Sequence, residues 1–171
     1  VFALAVTVAA DETGSITVDN PITGQTYTAY KIFDVVYDTA KEHYSYTIEG
    51  GDSKSPWYDT VSNYATTEAN GLKLTKVGDT TSDTYVVTTT DDFSPAAFAD
   101  TLKKALETVT PTDVHQFTAN AEGKQVAGSL PLGYYFVTSS NGALCNLTTT
   151  DPDITIQDKN DMPFEKTAKE K

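Results

Sequence analysis

The sequence predicts a mainly β protein, a β-sandwich with two short helices in its crossovers. Ten tyrosines, many threonines and a charged fraction of only 21% are typical of β-rich proteins. Most of the chain also reads as short runs of alternating apolar and polar residues, separated by turn residues. Antiparallel strands of this length and spacing favour a sandwich. At 171 residues the chain is long enough to bury one sizeable core.

Nine segments have the alternation, or the β-branched and aromatic content, of strands. They are residues 15–18, 26–37, 44–48, 72–77, 84–90, 124–127, 134–139, 143–147 and 153–157. In the longest of them, strict alternation places one set of side chains on a single, mostly apolar face. That set is Tyr27, Ala29, Lys31, Phe33, Val35 and Tyr37.

Two Ser-Pro pairs predict the starts of two helices, because serine caps a helix and proline is favoured at its first position. After Ser55-Pro56, the apolar stripe of the first helix consists of Trp57, Val61, Tyr64 and Ala65. After Ser94-Pro95, the stripe of the second consists of Phe98, Leu102, Ala105, Leu106 and Val109. Thr110-Pro111 ends the second helix.

Composition excludes several functions. A net charge of −12 and the absence of arginine argue against nucleic acid and against anionic membrane surfaces as partners. A single cysteine, Cys145, allows no intramolecular disulfide. The two histidines have no ligand partner at zinc spacing, so we expect no metal and no cofactor. No carboxylate pair or nucleophile elbow stands out, so we expect no enzyme.

The chain divides into three parts. Residues 1–10 are apolar and end in small residues, which predicts the remnant of a signal peptide cleaved after Ala10, although an edge strand is an alternative. Residues 11–161 form the main predicted domain. Residues 162–171 resemble a linker and the start of a next domain. No apolar run reaches 18 residues, so we expect no membrane span in this chain.

Lys31 is the anomaly of the longest strand, because it falls in the middle of the apolar face. Burying an ammonium group costs several kcal/mol unless the charge is paired, neutralised or chemically consumed. One interpretation is a stem that packs on the core while its amine reaches solvent at the sheet edge. The other is that the amine has reacted.

The last predicted strand offers Lys31 a reaction partner. Alternation that points Ile154 and Ile156 inward also points Asn160 inward and Lys159 outward. A terminal strand can lie beside an early one in a Greek-key sandwich, so Asn160 can approach Lys31. The unprotonated amine would attack the carboxamide carbon and expel ammonia, while a buried, protonated carboxylic acid polarises the amide and moves the proton.

Several segments, in order, resemble the first domain of Gram-positive sortase-assembled pilins. They are Gly14-Ser-Ile-Thr-Val, Gly24-Gln-Thr-Tyr-Thr-Ala-Tyr-Lys-Ile-Phe-Asp-Val, Ser55-Pro-Trp-Tyr-Asp, Leu130-Pro-Leu-Gly-Tyr-Tyr-Phe-Val and Asp158-Lys-Asn-Asp. The resemblance implies an immunoglobulin-like fold, an extracellular, cell-wall-anchored pilus, and joining of neighbouring subunits by a pilus sortase. It also implies Lys-to-Asn isopeptide bonds in some domains, in agreement with the interpretation of Lys31 and Asn160.

The chain departs from the family pattern at two places. Ser139 stands where domains that form the bond often carry glutamate, so the assisting acid is unassigned among Asp92, Glu107 and Asp158. The linkage motif of many backbone pilins ends Tyr-Pro-Lys-Asn. Here Lys159 matches the lysine of that motif, but the preceding Gln157-Asp158 does not match the preceding pair.

The resulting functional expectation is a structural subunit of the pilus shaft. In this interpretation Lys31 and Asn160 form an intramolecular bond, and Lys159 is the intersubunit acceptor. Lys166 resembles the lysine that opens a second pilin domain, but here we expect it to be a solvated side chain. The alternative is an adhesin or tip module that binds a host glycan or matrix protein.

Overall fold

The computed structural model describes residues 13–19, 22–37, 44–78, 83–118, 125–140, 144–149 and 153–157. Its strands are β1 (Thr13–Asp19), β2 (Thr26–Tyr37), β3 (Tyr44–Glu49), β4 (Leu72–Lys76), β5 (Thr84–Thr89), β6 (Val114–Thr118), β7 (Gln125–Pro131), β8 (Gly133–Ser139), β9 (Leu144–Thr149) and β10 (Asp153–Gln157). Its α-helices are α1 (Tyr58–Ala65) and α2 (Pro95–Ala105), and 3₁₀ turns cover Gly51–Ser53 and Glu68–Asn70. The predictions for residues 1–10, 158–160 and 162–171 lie outside these ranges.

The strands form two sheets, which confirms the predicted fold class. A three-stranded sheet has the order β10-β1-β7, and a larger sheet has the order β4-β5-β3-β2-β8-β9. The long strand β2 is the centre of the larger sheet. One of its edges pairs with β8, while the other pairs with β6 along its first half and with β3 along its second. All these pairs are antiparallel, whereas β1 and β10 run parallel.

Strand β6 is the element that sequence analysis missed. Its pattern alternates, with half-buried His115 and Phe117 between exposed neighbours. Only one of the inward residues is strongly apolar, so the periodic signal is weak. Strand β3 is shorter than β2 and pairs only with the second half of one β2 edge. Strand β6 pairs with the first half of that edge.

The two helices start by different means. Ser94 caps α2 as predicted, since its hydroxyl oxygen accepts a hydrogen bond from the backbone N–H of Ala97 at 3.2 Å. The prediction for α1 was shifted, because the helix begins at Tyr58 and has no side-chain cap. Ser55 instead accepts from the N–H of Trp57 at 3.1 Å, which fixes the turn before the helix. No helix within the described ranges is long and apolar enough to cross a membrane.

The core between the two sheets is compact and mostly aliphatic. It contains Ile16, Val18, Tyr27, Ala29, Leu130, Tyr135 and Val137, all at most 4% exposed. These residues come from β1 and β7 on one side and from β2 and β8 on the other. The sandwich is therefore closed by side chains of four strands, and burial of their apolar surface stabilises it.

A second core lies on the opposite face of the larger sheet, beneath α1 and α2. Phe98 of α2 is fully buried there, and its ring stacks on Phe33 with centroids 6.0 Å apart. Tyr64 of α1 and Tyr134 of β8 contact the same ring at 5.2 and 6.1 Å. Because cores lie on both faces, β8 is buried at six of its seven positions.

One prediction about β2 was wrong. The strict alternation that put Phe33 on the same face as Ala29 breaks at a register shift, where Lys31 pairs with Tyr135 but Phe33 pairs with Tyr134. A bulge of this kind places two residues of one strand opposite one residue of its partner. Ile32 and Phe33 therefore both enter the helix-side core.

Tyr134 makes the helix-side core sensitive to alkaline pH. Burial raises the pKa of its phenol from 10.0 to about 12, and the nearby Tyr64 adds to this shift. A phenol with a raised pKa stabilises the fold fully below pH 10, where both states are neutral, and loses that contribution as pH rises towards 12. We expect the Tyr134 contribution to fall by about 2 to 3 kcal/mol across this window.

The measurement is the free energy of unfolding in urea at several pH values. The Tyr134→Phe variant should lose less stability between pH 10 and 12 than the parent does. Tyr44→Phe is the matched control, because Tyr44 is 50% exposed, and it should behave like the parent. Equal pH dependence in all three proteins would contradict the assignment.

Candidate functional site

Lys31 lies beside the β2 bulge, at one end of the sandwich. Its side chain is 16% exposed, and its Nζ is 2.5 Å from Oδ1 of Asp34 and 3.8 Å from Oδ2 of Asp113. The two carboxylates are 52% and 37% exposed, so solvent screens part of the attraction. The stem of Lys31 is thus largely buried, and its amine is ion-paired with two partly exposed carboxylates.

Asp113 connects Lys31 to β6. Its carbonyl oxygen accepts a hydrogen bond from the backbone N–H of Lys31 at 3.1 Å, and its Oδ1 lies 2.7 Å from Nε2 of His115. The same residue thus contacts both the backbone and the amine of Lys31. This arrangement joins the end of β6 to the middle of β2 and fixes the direction of the lysine.

Tyr135 and Gly133 form the wall against which the lysine packs. The Tyr135 hydroxyl donates to the carbonyl oxygen of Pro131 at 2.6 Å, and its ring lies edge-on to His115. Burial raises the pKa of this phenol, and the carboxylates of Asp113 and Asp34 raise it further, so it stays a neutral donor. At Gly133, a Cβ would lie 2.5 Å from the carbonyl oxygen of Phe33 and 3.1 Å from Cε of Lys31.

A cleft of about 260 Å³ opens beside Lys31. It lies between the bulge of β2, the end of β3, the turn that leads into α1, and the segment before β6. Its lining residues are Lys31, Ile32, Phe33, Asp34, Ile48, Glu49, Ser53, Lys54, Ser55, Pro56, Trp57, Thr112 and Asp113. The N–H of Ser55 donates to the carbonyl oxygen of Glu49 at 2.9 Å, which holds the α1 turn against β3.

The predicted assisting acids do not gather around Lys31. Asp92 and Glu107 are exposed, in the turn after β5 and just after α2, and so lack the burial that a protonated carboxylic acid needs. Asp158 lies outside the described residues. Sequence reasoning missed Asp34 and Asp113. Asp34 is three residues from Lys31, so in a regular strand the two side chains would lie on opposite faces. The bulge between them brings the carboxylate to the same side as the amine.

Lys159 and Asn160 also lie outside the described residues, but the direction of β10 bears on them. Asp153 pairs with Ser15 and Gln157 pairs with Asp19. Ser15 and Tyr135 line one small cavity, and Tyr135 is the partner of Lys31 in the larger sheet. Strand β10 therefore starts near the level of Lys31 and ends about 13 Å away along the sheet.

Ser139 lies away from Lys31 as well. It pairs with Tyr27, four residues along β8 from the partner of Lys31, or about 13 Å at the rise of a strand. The position at which the pilin resemblance predicts glutamate is thus not beside Lys31. Ser139 is 5% exposed, so it is part of the packed interior.

Comparisons with known proteins add no identity to these observations. No protein-family model, curated protein or solved structure matches the chain. In the part of the chain that the structure describes, no group of three or more His, Cys, Asp or Glu side chains is arranged to hold a metal ion.

Gly133 gives a direct test of the packing around Lys31. In a Gly133→Ala variant the new methyl would meet the Phe33 carbonyl oxygen at 2.5 Å, a distance that requires the backbone to shift. We expect a loss of about 1 to 3 kcal/mol in the free energy of unfolding, the usual cost of overpacking. Urea unfolding measures it.

A double variant, Gly133→Ala with Lys31→Ala, separates the two neighbours of the new methyl. Because the nearest atom belongs to the backbone, most of the loss caused by Gly133→Ala should persist when the lysine stem is absent. Full relief of that loss by Lys31→Ala would show that the lysine stem, and not the Phe33 carbonyl, requires glycine at this position.

Proposed function

We propose that the chain is a structural domain of a covalently polymerised, cell-wall-anchored surface pilus, and that it belongs to a shaft subunit. A pilus sortase would join each subunit to the next through Lys159. The proposal combines the pilin resemblance of the sequence with one feature of the fold, the parallel pairing of β1 with β10. Neighbouring subunits and the sortase are its proposed partners.

The parallel pairing carries the proposal because it sets where the chain enters and leaves. β1 is the first described strand and β10 the last, and they pair at five consecutive positions from Ser15–Asp153 to Asp19–Gln157. Since they run in the same direction, β1 begins at one end of the sandwich and β10 finishes at the opposite end. Domains with opposite entry and exit ends can follow one another in a line, as the units of a shaft must.

The same pairing would also resist a pulling force along the shaft. A pull on the two ends of the domain acts along β1 and β10 in opposite directions, so the hydrogen bonds between these strands resist together instead of opening one at a time. Lys159 lies two positions after the last residue of β10. A linkage at Lys159 would therefore transmit force to the strand that is paired with the chain entry.

The segments that carry the pilin resemblance also supply the two cores. Ile16 of β1, Tyr27 of β2 and Val137 of β8 meet between the sheets. Trp57 and Phe136 meet on the helix side. Segments distant in the sequence thus pack together, so the motifs that carry the resemblance are parts of the two cores.

We expect Lys159→Ala to abolish the high-molecular-weight ladders that covalent pili give on denaturing gels of cell-wall extracts, and to leave monomer on the cell surface. The physical reason is that the lysine amine is the proposed nucleophile towards the sortase-bound neighbour. Lys159→Arg should have the same effect, because a guanidinium keeps its proton at ordinary pH and is a poor nucleophile.

Lys73→Ala is the matched control, since this lysine is exposed on β4 and should leave the ladders intact. If ladders persist in both Lys159 variants, the acceptor is another amine, and Lys166→Ala is the next variant. A domain that never appears in ladders, while the pilus still assembles, would contradict the shaft assignment and favour the tip module or adhesin.

The Lys31–Asn160 bond stays a prediction, and the intact mass of the purified chain tests it. Formation of the bond expels ammonia and lowers the mass by about 17 Da relative to the composition. Lys31→Ala should then show no such deficit, and it should unfold at lower temperature because the cross-link no longer restricts the unfolded chain. A full, unmodified mass in the parent would contradict the bond and leave Lys31 with its ion pairs to Asp34 and Asp113.

A further inference from the structure

We propose that the cleft beside Lys31 is a carbohydrate site, which takes one neutral sugar ring of a glycan. The proposal concerns the cleft alone and does not depend on polymerisation through Lys159. It follows from the size of the cleft, the pairing of its charges, its open hydroxyl groups and the apolar proline ring at its side.

The volume fits a single ring. About 260 Å³ corresponds to roughly nine waters at about 30 Å³ each. This is smaller than the pockets that enclose drug-sized ligands, which start at about 300 Å³. The cleft is open to solvent, so a ring can enter while the rest of a glycan stays outside.

The charges of the cleft are largely compensated, which favours a neutral ligand. The amine of Lys31 is held by Asp34 and Asp113, and the amine of Lys54 lies 2.9 Å from a carboxylate oxygen of Asp59. A cationic ligand would compete with the ammonium groups of Lys31 and Lys54 for their carboxylates. An anionic ligand would be repelled by those same carboxylates. A neutral hydroxyl can instead donate to a carboxylate oxygen without disturbing a pair.

Uncharged polar groups line the same space. The hydroxyls of Ser53 and Thr112 are exposed, and neither makes a hydrogen bond with the residues that the structure describes. Glu49 is held by the Thr84 hydroxyl, which donates to it at 2.8 Å, and this contact leaves its carboxylate with further acceptor capacity. Hydroxyl donors beside a positioned carboxylate match the alternating donors and acceptors of a sugar.

One side of the cleft supplies the apolar contact that a sugar ring needs, above a closed apolar floor. Ile32, Ile48 and Trp57 lie beneath the cleft and are almost fully buried, so the floor is rigid. The ring of Pro56 is half-buried at the side. Because those three side chains expose at most 3% of their surface, the C–H face of a pyranose would rest mainly on the ring of Pro56 while its hydroxyls reach the polar rim.

Trp57 gives the experiment its reporter, because it is the only tryptophan in the chain. The isotope-labelled protein is titrated with the methyl glycosides of glucose, galactose, mannose, N-acetylglucosamine and N-acetylgalactosamine, one at a time. We expect at least one glycoside to shift the single indole N–H signal and the amide signals of Ser53 and Thr112. The dissociation constant should lie in the millimolar range expected for one solvent-open ring.

Three variants test whether the glycoside binds in the cleft. Thr112→Val removes one hydroxyl at nearly constant shape and should weaken binding about fivefold, while Glu49→Gln removes a charged acceptor and should weaken it about tenfold or more. Ser53→Phe places a ring at the exposed rim and should abolish binding by filling the entrance. Thr75→Val is the matched control, since Thr75 is exposed on β4 and does not line the cleft.

Nα-acetyl-lysine methylamide is titrated in parallel as the competing, cationic ligand class. Binding of this amine at the cleft without binding of any glycoside would overturn the proposal, and so would shifts confined to another surface. The absence of any shift with all five glycosides would overturn it as well. None of these outcomes bears on the ladder experiment, so failure of the carbohydrate site and failure of the pilus assignment remain distinguishable.

Discussion

The bulge in β2 is the constraint on which the rest of the structure depends. Before the bulge, Tyr27 and Ala29 face the smaller sheet, whereas Ile32 and Phe33 both face the helices. One strand therefore contributes to two cores, and the larger sheet is filled on both faces. Without the extra residue, Phe33 would leave the ring cluster around Phe98, and α2 would lose this stacked contact with the sheet.

The same bulge explains how a lysine is tolerated in an apolar strand. Lys31 lies at the point where the two cores separate, at the end of the sandwich, and the bulge brings Asp34 within reach of its amine. Asp113 approaches from the segment before β6. Two partly exposed carboxylates compensate the charge without a fully buried ion pair, an arrangement whose desolvation cost is modest. The cleft lies on the other edge of β2, where pairing with β6 ends at Tyr30 and pairing with β3 begins at Asp34, beside the α1 turn.

Much of the fold could be predicted from the sequence, and the errors have identifiable causes. Strand β2 and strand β10 have the predicted limits, and Ser94 caps α2 as expected, because alternation and capping are local signals. Strand β6 was missed because it carries little apolar signal and is held by the free edge of β2. The candidate site was only partly predicted. Lys31 stood out by its pattern, but Asp113 is far from it in the sequence.

The sequence by itself determined the class of fold, the two helices and the presence of one charged residue that needs a partner. These follow from periodicity, turn residues and the cost of burying charge, which act over a few neighbouring residues. Only the tertiary structure decided the identity of that partner, the division of β2 between two cores, and the parallel pairing of β1 with β10. Each of these depends on which strands lie side by side and in which register, and register is set by packing between distant segments.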